Sequence, residues 1–241
     1  IEAGQLELFI TNFDVRQAVE DAVDSVASRA LRKGLEICSF FDPRALTSCL
    51  GDPDRLRQIL LNLLSNAIKF TKSGQVYVVV EQEERTQTHA TFRFKVYDSG
   101  IGIPEKGQKK LFARFSQVDS STTREFGGTG LGLAISKEFA ELMNGSMGVN
   151  STPGLGSLFW FTAMFQIDET QLPPLCFSIT PKPTALLVAD NETLRNTLMR
   201  VLEGMGMVVE GVSHTSAVTA DHNPDLLILC PASQYEDGHS I

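Results

Sequence analysis

The sequence contains no apolar run of the roughly 20 residues that a membrane-spanning helix requires. It also has no basic start followed by an apolar signal core, and its first residue is isoleucine instead of methionine. We therefore expect a cytoplasmic piece excised from a larger protein. Whether a membrane anchors that parent protein does not follow from the absence of a span in this piece.

Excess positive charge and clustered cysteines are absent as well. The 21 Lys and Arg residues are outnumbered by 29 Asp and Glu residues and are scattered along the chain, which gives no support for nucleic-acid binding. The four cysteines, Cys38, Cys49, Cys176 and Cys230, lie too far apart for a zinc site. Three of them lie in or beside apolar runs, which favours reduced, buried thiols over a disulfide framework.

The chain does have the apolar patterning of a packed core. Apolar residues make up 42% of its 241 residues and charged residues 21%, as in ordinary globular proteins. Helical periodicity predicts helices over residues 13–31, 54–70 and 131–143, the first capped by Asp14 or Asn12. Alternating or apolar runs predict strands over residues 35–41, 75–81, 90–98 and 157–165, with an antiparallel hairpin formed by the middle two.

A second unit follows a proline-rich segment. Four prolines predict an extended linker over residues 168–183. Beyond it, predicted strands at 184–189, 207–212 and 226–230 and a helix at 192–203 have the rhythm of a parallel α/β sheet. Residues 184–241 are too few to complete such a sheet, so we expect a partial unit.

The predicted helix over residues 54–70 carries polar side chains on one face. Asn62, Asn66 and Lys69 follow the spacing i, i+4 and i+7, away from the apolar stripe of the same helix. Mg²⁺ bound to a triphosphate takes oxygen ligands and keeps several waters, and the amide oxygen of Asn66 suits that role without adding an anion. Lys69 would balance phosphate charge. Taken alone, this face could equally be a solvated helix edge.

Residues 98–104, with the sequence DSGIGIP, place a carboxylate at the end of a predicted strand and two glycines just after it. Gly100 and Gly102 allow the backbone to pass close to a flat ligand. The carboxylate of Asp98 is suited to accept a hydrogen bond from the exocyclic amine of adenine. An ordinary strand-end turn, with Asp98 as a local cap, accounts less well for the whole motif.

Residues 127–133, with the sequence GGTGLGL, open directly into the predicted helix at 131–143. Unpaired N–H groups and the helix dipole at such a start face phosphate oxygens. The preceding SSTTR, residues 120–124, predicts a flexible lid over the phosphates, with Phe112 and Phe115 of LFARF on its hinge side. Phe112 and Phe115 could equally be core residues. Arg124 is the candidate for reaching the γ-phosphate.

In this order, the motifs resemble those of the ATP-binding catalytic domain of histidine kinases, whose Bergerat fold a wider group of ATPases shares. The resemblance covers about residues 1–166 and implies an α/β fold of the α+β two-layer type that binds ATP and Mg²⁺. It implies Asn66 as the metal ligand and Asn62, Lys69 and Arg124 as catalytic residues. The nucleotide-binding residues that it implies are Asn62, Asn66, Lys69, Phe70, Asp98, Gly100, Gly102, Ile103, Phe112, Phe115, Gly128, Thr129, Gly130, Leu131 and Gly132.

The residue at position 62 bears on the type of reaction. In related ATPases of the wider fold, a glutamate activates water at the helix position that Asn62 holds here. An amide cannot act as a general base. The resemblance therefore favours phosphoryl transfer to a protein acceptor, which depends mainly on positioning and charge neutralisation, over rapid hydrolysis.

A phosphoacceptor histidine is missing from the sequence. Histidine kinases carry it on a dimerising helical hairpin, followed closely by an acidic residue, and none of the four histidines here has that context. Residues 1–12 resemble the exit from such a hairpin, and 13–167 would form the catalytic domain. We expect a monomeric piece that binds ATP without phosphorylating itself. Its partners would be the hairpin of the parent protein and a downstream receiver or phosphotransfer protein.

The second unit more weakly resembles the start of a receiver domain. Asp190 is one carboxylate where receivers have an adjacent acidic pair, and Cys230 takes the expected place of the phosphoacceptor aspartate. A thiol does not form the usual acyl phosphate and is not a hard oxygen ligand. We therefore expect an inactive or truncated receiver-like segment with a docking or regulatory role.

Two other functions stay open at this point. The chain could be a slow ATPase of the same fold, although Asn62 argues against efficient hydrolysis. It could instead be a pseudokinase whose pocket shapes a protein interface, as the degenerate second unit suggests, although the first domain lacks no nucleotide motif.

Overall fold

The structure is a computed structural model that describes residues 7–113, 130–168, 181–190, 192–219 and 222–230. The chain divides into two compact units. The first comprises Ile1–Phe41 and Ala45–Pro173, and the second comprises Asp42–Arg44 and Pro174–Ile241. None of the helices in the described ranges combines the length and the apolar character that crossing a membrane takes.

The first unit is built on a seven-stranded sheet. Its strands are β1 (Thr11–Asp14), β2 (Leu35–Phe41), β3 (Ser48–Gly51), β4 (Gly74–Arg85), β5 (His89–Asp98), β6 (Met147–Thr152) and β7 (Gly156–Ile167). Their order is β1-β3-β7-β5-β4-β2, and β6 also pairs with β7. All pairs are antiparallel except β2 with β4. The predicted hairpin of β4 and β5 is therefore confirmed, with longer strands than expected.

Within the described residues, the helices of the first unit are α1 (Val15–Arg32), α2 (Pro53–Phe70), α3 (Glu105–Gln108) and α4 (Gly132–Leu142). Asp14 caps α1 by accepting the backbone N–H of Gln17, as one of the two predicted caps. Asp52 caps α2 by accepting the N–H of Arg55, and Pro53 occupies the first turn, where no N–H is needed. Helix α2 therefore begins at a fixed point.

The core of the first unit lies between the sheet and helices α1, α2 and α4. Phe92 and Phe94 of β5 are fully buried with Phe161 and Phe165 of β7, and the rings of Phe94 and Phe161 stack with centroids 4.6 Å apart. Helix α2 buries the apolar stripe predicted for it. That stripe consists of Leu56, Ile59, Leu60, Leu63, Leu64, Ala67 and Ile68. Burial of one face fixes the rotation of α2 and hence the direction of its polar face.

The three short strands β1, β3 and β6 were not predicted, because none of them contains an apolar run or a clear alternation of apolar and polar residues. Phe13 belongs to β1 and not, as predicted, to the first helix. Thr11 and Asn12 were assigned to the exit of a hairpin, but they pair with Gly51 and Leu50 of β3. They are therefore part of the sheet.

The cysteines in the described residues differ in their exposure to solvent. Cys49 is buried as predicted, and Cys38 is exposed on β2 although it lies in an apolar run. A strand presents successive side chains to opposite faces, and residue 38 falls on the face of the sheet away from the helices. Cys176 lies outside the described residues.

In its described residues, the second unit is a small parallel sheet with one α-helix and a single turn of 3-10 helix at Thr215–Ala217. Its elements are β8 (Thr184–Ala189), α5 (Glu192–Gly204), β9 (Val208–Val212) and β10 (Leu226–Cys230). The strand order is β10-β8-β9, so the first strand is central and its residues from Ala185 to Ala189 are buried. The carboxylate of Asp225, just before β10, accepts hydrogen bonds from the backbone N–H and hydroxyl of Thr184 at 2.7 and 2.9 Å. These bonds fix the start of β8 beside the start of β10.

Candidate functional site

Asp98 is a half-buried carboxylate at the last residue of β5. It accepts a hydrogen bond of 2.9 Å from the backbone N–H of Gly100 and further bonds from the backbone and hydroxyl of Ser157, its neighbour on β7. Burial raises the pKa of the Asp98 carboxyl, and these hydrogen bonds offset only part of that rise. A desolvated acceptor in a fixed orientation is suited to bind a donor that replaces the lost water.

The glycines after Asp98 are required by the close approach of other groups. A Cβ atom at Gly100 would lie 2.7 Å from both Oδ1 of Asp98 and the backbone oxygen of Phe70. Gly102 has a positive φ of 68°, and a Cβ there would overlap the backbone oxygen of Thr152. The loop therefore lies directly against the end of α2 on one side and the β6–β7 hairpin on the other.

A set of hydrogen bonds fastens the following residues to β6. The N–H of Ile103 donates to Oγ of Ser151 at 2.8 Å. The side-chain amide of Gln108 donates to the backbone oxygens of Ile103 and Ser151 at 2.7 and 2.8 Å. Ile103 and Phe112 are partly buried and pack against the core. The segment after Asp98 is thus held at both of its ends.

The C-terminal end of α2 carries Lys69 and Phe70. The ammonium of Lys69 lies over the ring of Phe70, 4.8 Å from its centroid. From the end of α1, Nζ of Lys33 donates hydrogen bonds to the backbone oxygens of Ile68 and Lys69 at 2.6 and 2.9 Å. A cation at the carboxyl end of a helix complements its dipole. Lys33 therefore holds the part of α2 that borders the glycine loop.

Asn62 connects α2 to the start of α4. Its Nδ2 donates a hydrogen bond of 2.9 Å to Oγ of Ser136. A Cβ at Gly132, the first residue of α4, would lie 2.5 Å from Oδ1 of Asn62. Gly130, two residues earlier, has a positive φ of 70°. The start of α4, with its unpaired N–H groups, therefore lies against the middle of α2.

Asn66 lies one turn beyond Asn62 on α2 and is half-buried. Within the described residues, its amide has no hydrogen-bond partner. The described ranges also contain no group of three His, Cys, Asp or Glu side chains placed to hold a metal ion. A divalent cation at this site would depend on an amide oxygen, water and the oxygens of a ligand, a set that Mg²⁺ accepts.

These groups form a site with two ends. Asp98, Gly100 and the backbone oxygen of Phe70 meet at one end, and Asn62 and Gly132 meet at the other. Eight residues of α2 separate Asn62 from Phe70, which corresponds to about 12 Å along the helix axis. The first end offers a half-buried carboxylate acceptor beside the glycine loop, and the second offers a helix N-terminus suited to anions.

Four predicted site residues, Phe115, Arg124, Gly128 and Thr129, lie outside the described residues. The sequence interpretation missed four others that position the site, namely Gln108, Ser136, Ser151 and Ser157. Serine and glutamine are too common to stand out in a sequence, and the pairing of β5 with β7 that brings Ser157 to Asp98 joins distant segments.

Comparison with known proteins identifies the fold. Residues 51–167 match the family of histidine kinase-, DNA gyrase B- and HSP90-like ATPases. Residues 51–167 of the first unit therefore form a domain similar to the ATPases of this family. Its matched range contains Asn62, Asn66, Asp98 and Gly132, so the two ends of the site lie within it.

The relatives are sensor kinases. The chain is 43% identical over 170 residues to hybrid signal transduction histidine kinase B of Dictyostelium discoideum, covering 70% of the chain and 9% of that protein. It is 38% identical over 224 residues to the sensor histidine kinase GacS of Pseudomonas protegens, covering 91% of the chain and 24% of that protein. The chain thus spans less than a quarter of the length of these curated relatives.

A solved structure shares the fold. Full-length ShkA, solved in complex with AMPPNP, superposes with a TM-score of 0.75 at 29% identity, covering 94% of this chain and 46% of that one. The expected ATP-binding catalytic domain of two-component sensor histidine kinases is therefore confirmed for the first unit. The receiver-like character of the second unit stays a prediction.

Proposed function

We propose that the first unit transfers the γ-phosphoryl group of ATP to a histidine on a dimerising helical hairpin of the parent protein. The observation that carries the proposal is that the side-chain amide of Asn62 lies against the start of α4. A general base at this position would activate water, and an amide cannot do so. The site is thus suited to position ATP for a protein acceptor, as the names of the sensor kinase relatives suggest.

The nucleotide would lie along α2. The carboxylate of Asp98 accepts a hydrogen bond from the exocyclic amine of adenine. The base is bordered by Gly100, Gly102, Ile103 and Phe70. The fit rests on the half-buried, oriented carboxylate and on the glycine loop that lies directly against it. Phe112, which packs against the core, would close the pocket together with Phe115.

The phosphates would lie at the start of α4. Leu131 and Gly132 present backbone N–H groups there, because the start of a helix leaves them unpaired, and Gly130 directly precedes them. Lys69 from α2 balances the phosphate charge. On the basis of their sequence positions, the groups that contact the phosphates would also include Gly128, Thr129 and Arg124.

The donor set fits Mg²⁺. Asn66 would hold the ion through its amide oxygen, and the phosphates and water would supply the remaining ligands. When bound, Mg²⁺ neutralises charge on the transferring group. Asn66 itself contributes a neutral ligand from a half-buried, fixed position on α2.

The second unit would serve as a receiver-like docking or regulatory surface without phosphorelay chemistry. Asp190 follows β8, and Cys230 ends the neighbouring β10, where its Cα pairs with that of Ala189. Nδ1 of His214 lies 3.2 Å from a carboxylate oxygen of Asp190. Asp190 and Cys230 do not supply the acidic pair and the acceptor aspartate that a receiver uses. The phosphoryl group would pass instead to a separate receiver or phosphotransfer protein.

The test is a transfer reaction in trans. The full chain is incubated with ATP labelled at the γ-phosphate, Mg²⁺ and the helical hairpin of the parent protein, and labelled histidine is measured. We expect label on the hairpin and none on this chain, which we take to be a cytoplasmic monomer. ATP binding without labelled histidine would indicate a pseudokinase, and rapid hydrolysis without an acceptor would indicate an ATPase. The Asp98→Ala variant provides the control without nucleotide.

A further inference from the structure

We propose that Ser136 is a positioning residue that turns the oxygen of the Asn62 amide toward the phosphate end of the site. Ser136 lies on α4 and is only 2% exposed. Its Oγ accepts the hydrogen bond of 2.9 Å from Nδ2 of Asn62. The inference rests on the proposed function, because it assigns Asn62 to the magnesium and phosphate end.

The orientation of the Asn62 amide is given by which of its two polar atoms lies nearer Gly132. An asparagine amide can place either its donor or its acceptor on a given side. A Cβ at Gly132 would lie 2.5 Å from Oδ1 of Asn62 but 3.2 Å from Nδ2. The acceptor atom is thus the one nearer the start of α4, and the donor is engaged by Ser136.

The two contacts of the Asn62 amide, with Gly132 and with Ser136, come from one face of α4. Gly132 and Ser136 are four residues apart, so they lie one above the other along the helix. Gly132 leaves room for the amide, and Ser136 holds its nitrogen. Because Ser136 is buried, water has little access to replace its hydroxyl. Removing that hydroxyl would leave Nδ2 of Asn62 without its acceptor and free the amide to turn over.

The chemical consequence is a preference for the magnesium complex of the nucleotide. An amide oxygen facing the phosphates is suited to a cation or to a water molecule bound to that cation. An amide nitrogen at the same place would instead donate to a bare phosphate oxygen. Ser136 therefore makes Asn62 select ATP with Mg²⁺ over ATP without it.

The first measurement needs no nucleotide. The side-chain amide resonances of Asn62 are recorded by NMR in the full chain and in Ser136→Ala. We expect a clear shift of both Asn62 amide protons in the variant, because the nitrogen loses its acceptor. Unchanged resonances would overturn the proposal, whatever the protein does with ATP.

The second measurement compares three ligands by calorimetry: adenosine, ATP with Mg²⁺ and ATP with EDTA. In Ser136→Ala we expect affinity for ATP with Mg²⁺ to fall about 3- to 10-fold, the loss of one typical hydrogen bond. Affinity for adenosine should not change, and affinity for ATP with EDTA should be equal or higher. A uniform fall for all three ligands would point to a general structural defect and overturn the assignment.

Two further variants sharpen the test. In an Asn62→Ala background, Ser136→Ala should have no additional effect, because Ser136 acts only through Asn62. An undiminished effect in that background would contradict the proposal. Ser146→Ala removes the hydroxyl of an exposed serine that contacts Thr162 and should leave the magnesium preference unaltered. If the unaltered chain bound neither adenosine nor ATP, the proposed function would fail, and the NMR result would still decide the geometry.

Discussion

Gly100 donates its backbone N–H to Oδ1 of Asp98 at 2.9 Å, so the first glycine of the loop orients the carboxylate that precedes it. A side chain at Gly100 would collide with that same oxygen and with the backbone of Phe70. The lack of a side chain at Gly100 therefore allows the hydrogen bond that orients the carboxylate of Asp98. It links the acidic residue at position 98 to the glycine two positions later at this end of the candidate site.

Adenosine binding should depend on pH through Asp98. Burial raises the pKa of this carboxyl above its ordinary value of 3.8. Its contribution to the free energy of unfolding is therefore fully present below pH 3.8 and is lost as pH rises through the raised pKa. Adenosine affinity should change in the opposite sense and increase over that window, because the ionised carboxylate is the stronger acceptor.

Calorimetry with adenosine across this window measures the effect, since adenosine has no phosphate to titrate. Asp98→Asn is the matched control and should bind adenosine weakly at every pH. The same pH dependence in both proteins would show that another group is responsible.

Gly102→Ala should be far more damaging than Gly154→Ala. Both glycines have positive φ, 68° and 81°, but a Cβ at Gly102 would strike the backbone of Thr152, whereas nothing lies within 4 Å of one at Gly154. We expect losses in the free energy of unfolding of about 2 to 4 kcal/mol at Gly102 and about 1 kcal/mol at Gly154. Urea unfolding followed by the fluorescence of Trp160 measures both. Equal losses of stability in the two variants would mean that the positive φ angle, and not the collision with Thr152, determines the loss.

Lys33→Met should loosen the end of α2. The substitution keeps the aliphatic stem but removes the ammonium that binds the backbone oxygens of Ile68 and Lys69. Because Lys33 is largely exposed, the expected loss of stability is modest, about 0.5 to 1 kcal/mol. Amide hydrogen exchange should quicken in the last turn of α2. Lys72→Met, at an exposed position just beyond α2, is the control, and an equal effect there would contradict the role of Lys33.

Cys49 should resist thiol reagents in the folded protein. Burial, with smaller contributions from Asp14 and Asp168, raises the pKa of its thiol to about 12, so almost no thiolate forms near neutral pH. Cys38 is exposed and should react first. Mass spectrometry after brief alkylation measures both sites, with and without denaturant. Rapid modification of Cys49 in the folded protein would show that β3 opens readily.

The sequence predicted the long helices and strands, including the strand end at which Asp98 lies. Helix α2 was predicted within one residue, because its apolar stripe and its cap at Asp52 point to the same boundary. Asp98 was placed at a strand end, where the structure has it. In both cases the information is local, since periodicity and capping involve residues within a few positions of each other.

What the sequence did not reveal depends on distant pairing. Ser136 meets Asn62 across 74 residues, and Ser157 meets Asp98 only because β5 pairs with β7. Nothing near either serine in the chain indicates its partner. The short strands β1 and β3 were missed for the same reason, since their pairing with each other identifies them better than their own residues do.

Calorimetric titration of the chain with AMPPNP, with and without Mg²⁺, tests the central claim most directly. The account predicts binding that Mg²⁺ strengthens, that Asp98→Ala abolishes, and that loses its dependence on Mg²⁺ in Asn66→Ala. Binding that is the same in all three proteins, or absent from the unaltered chain, would contradict the assignment of this site to ATP.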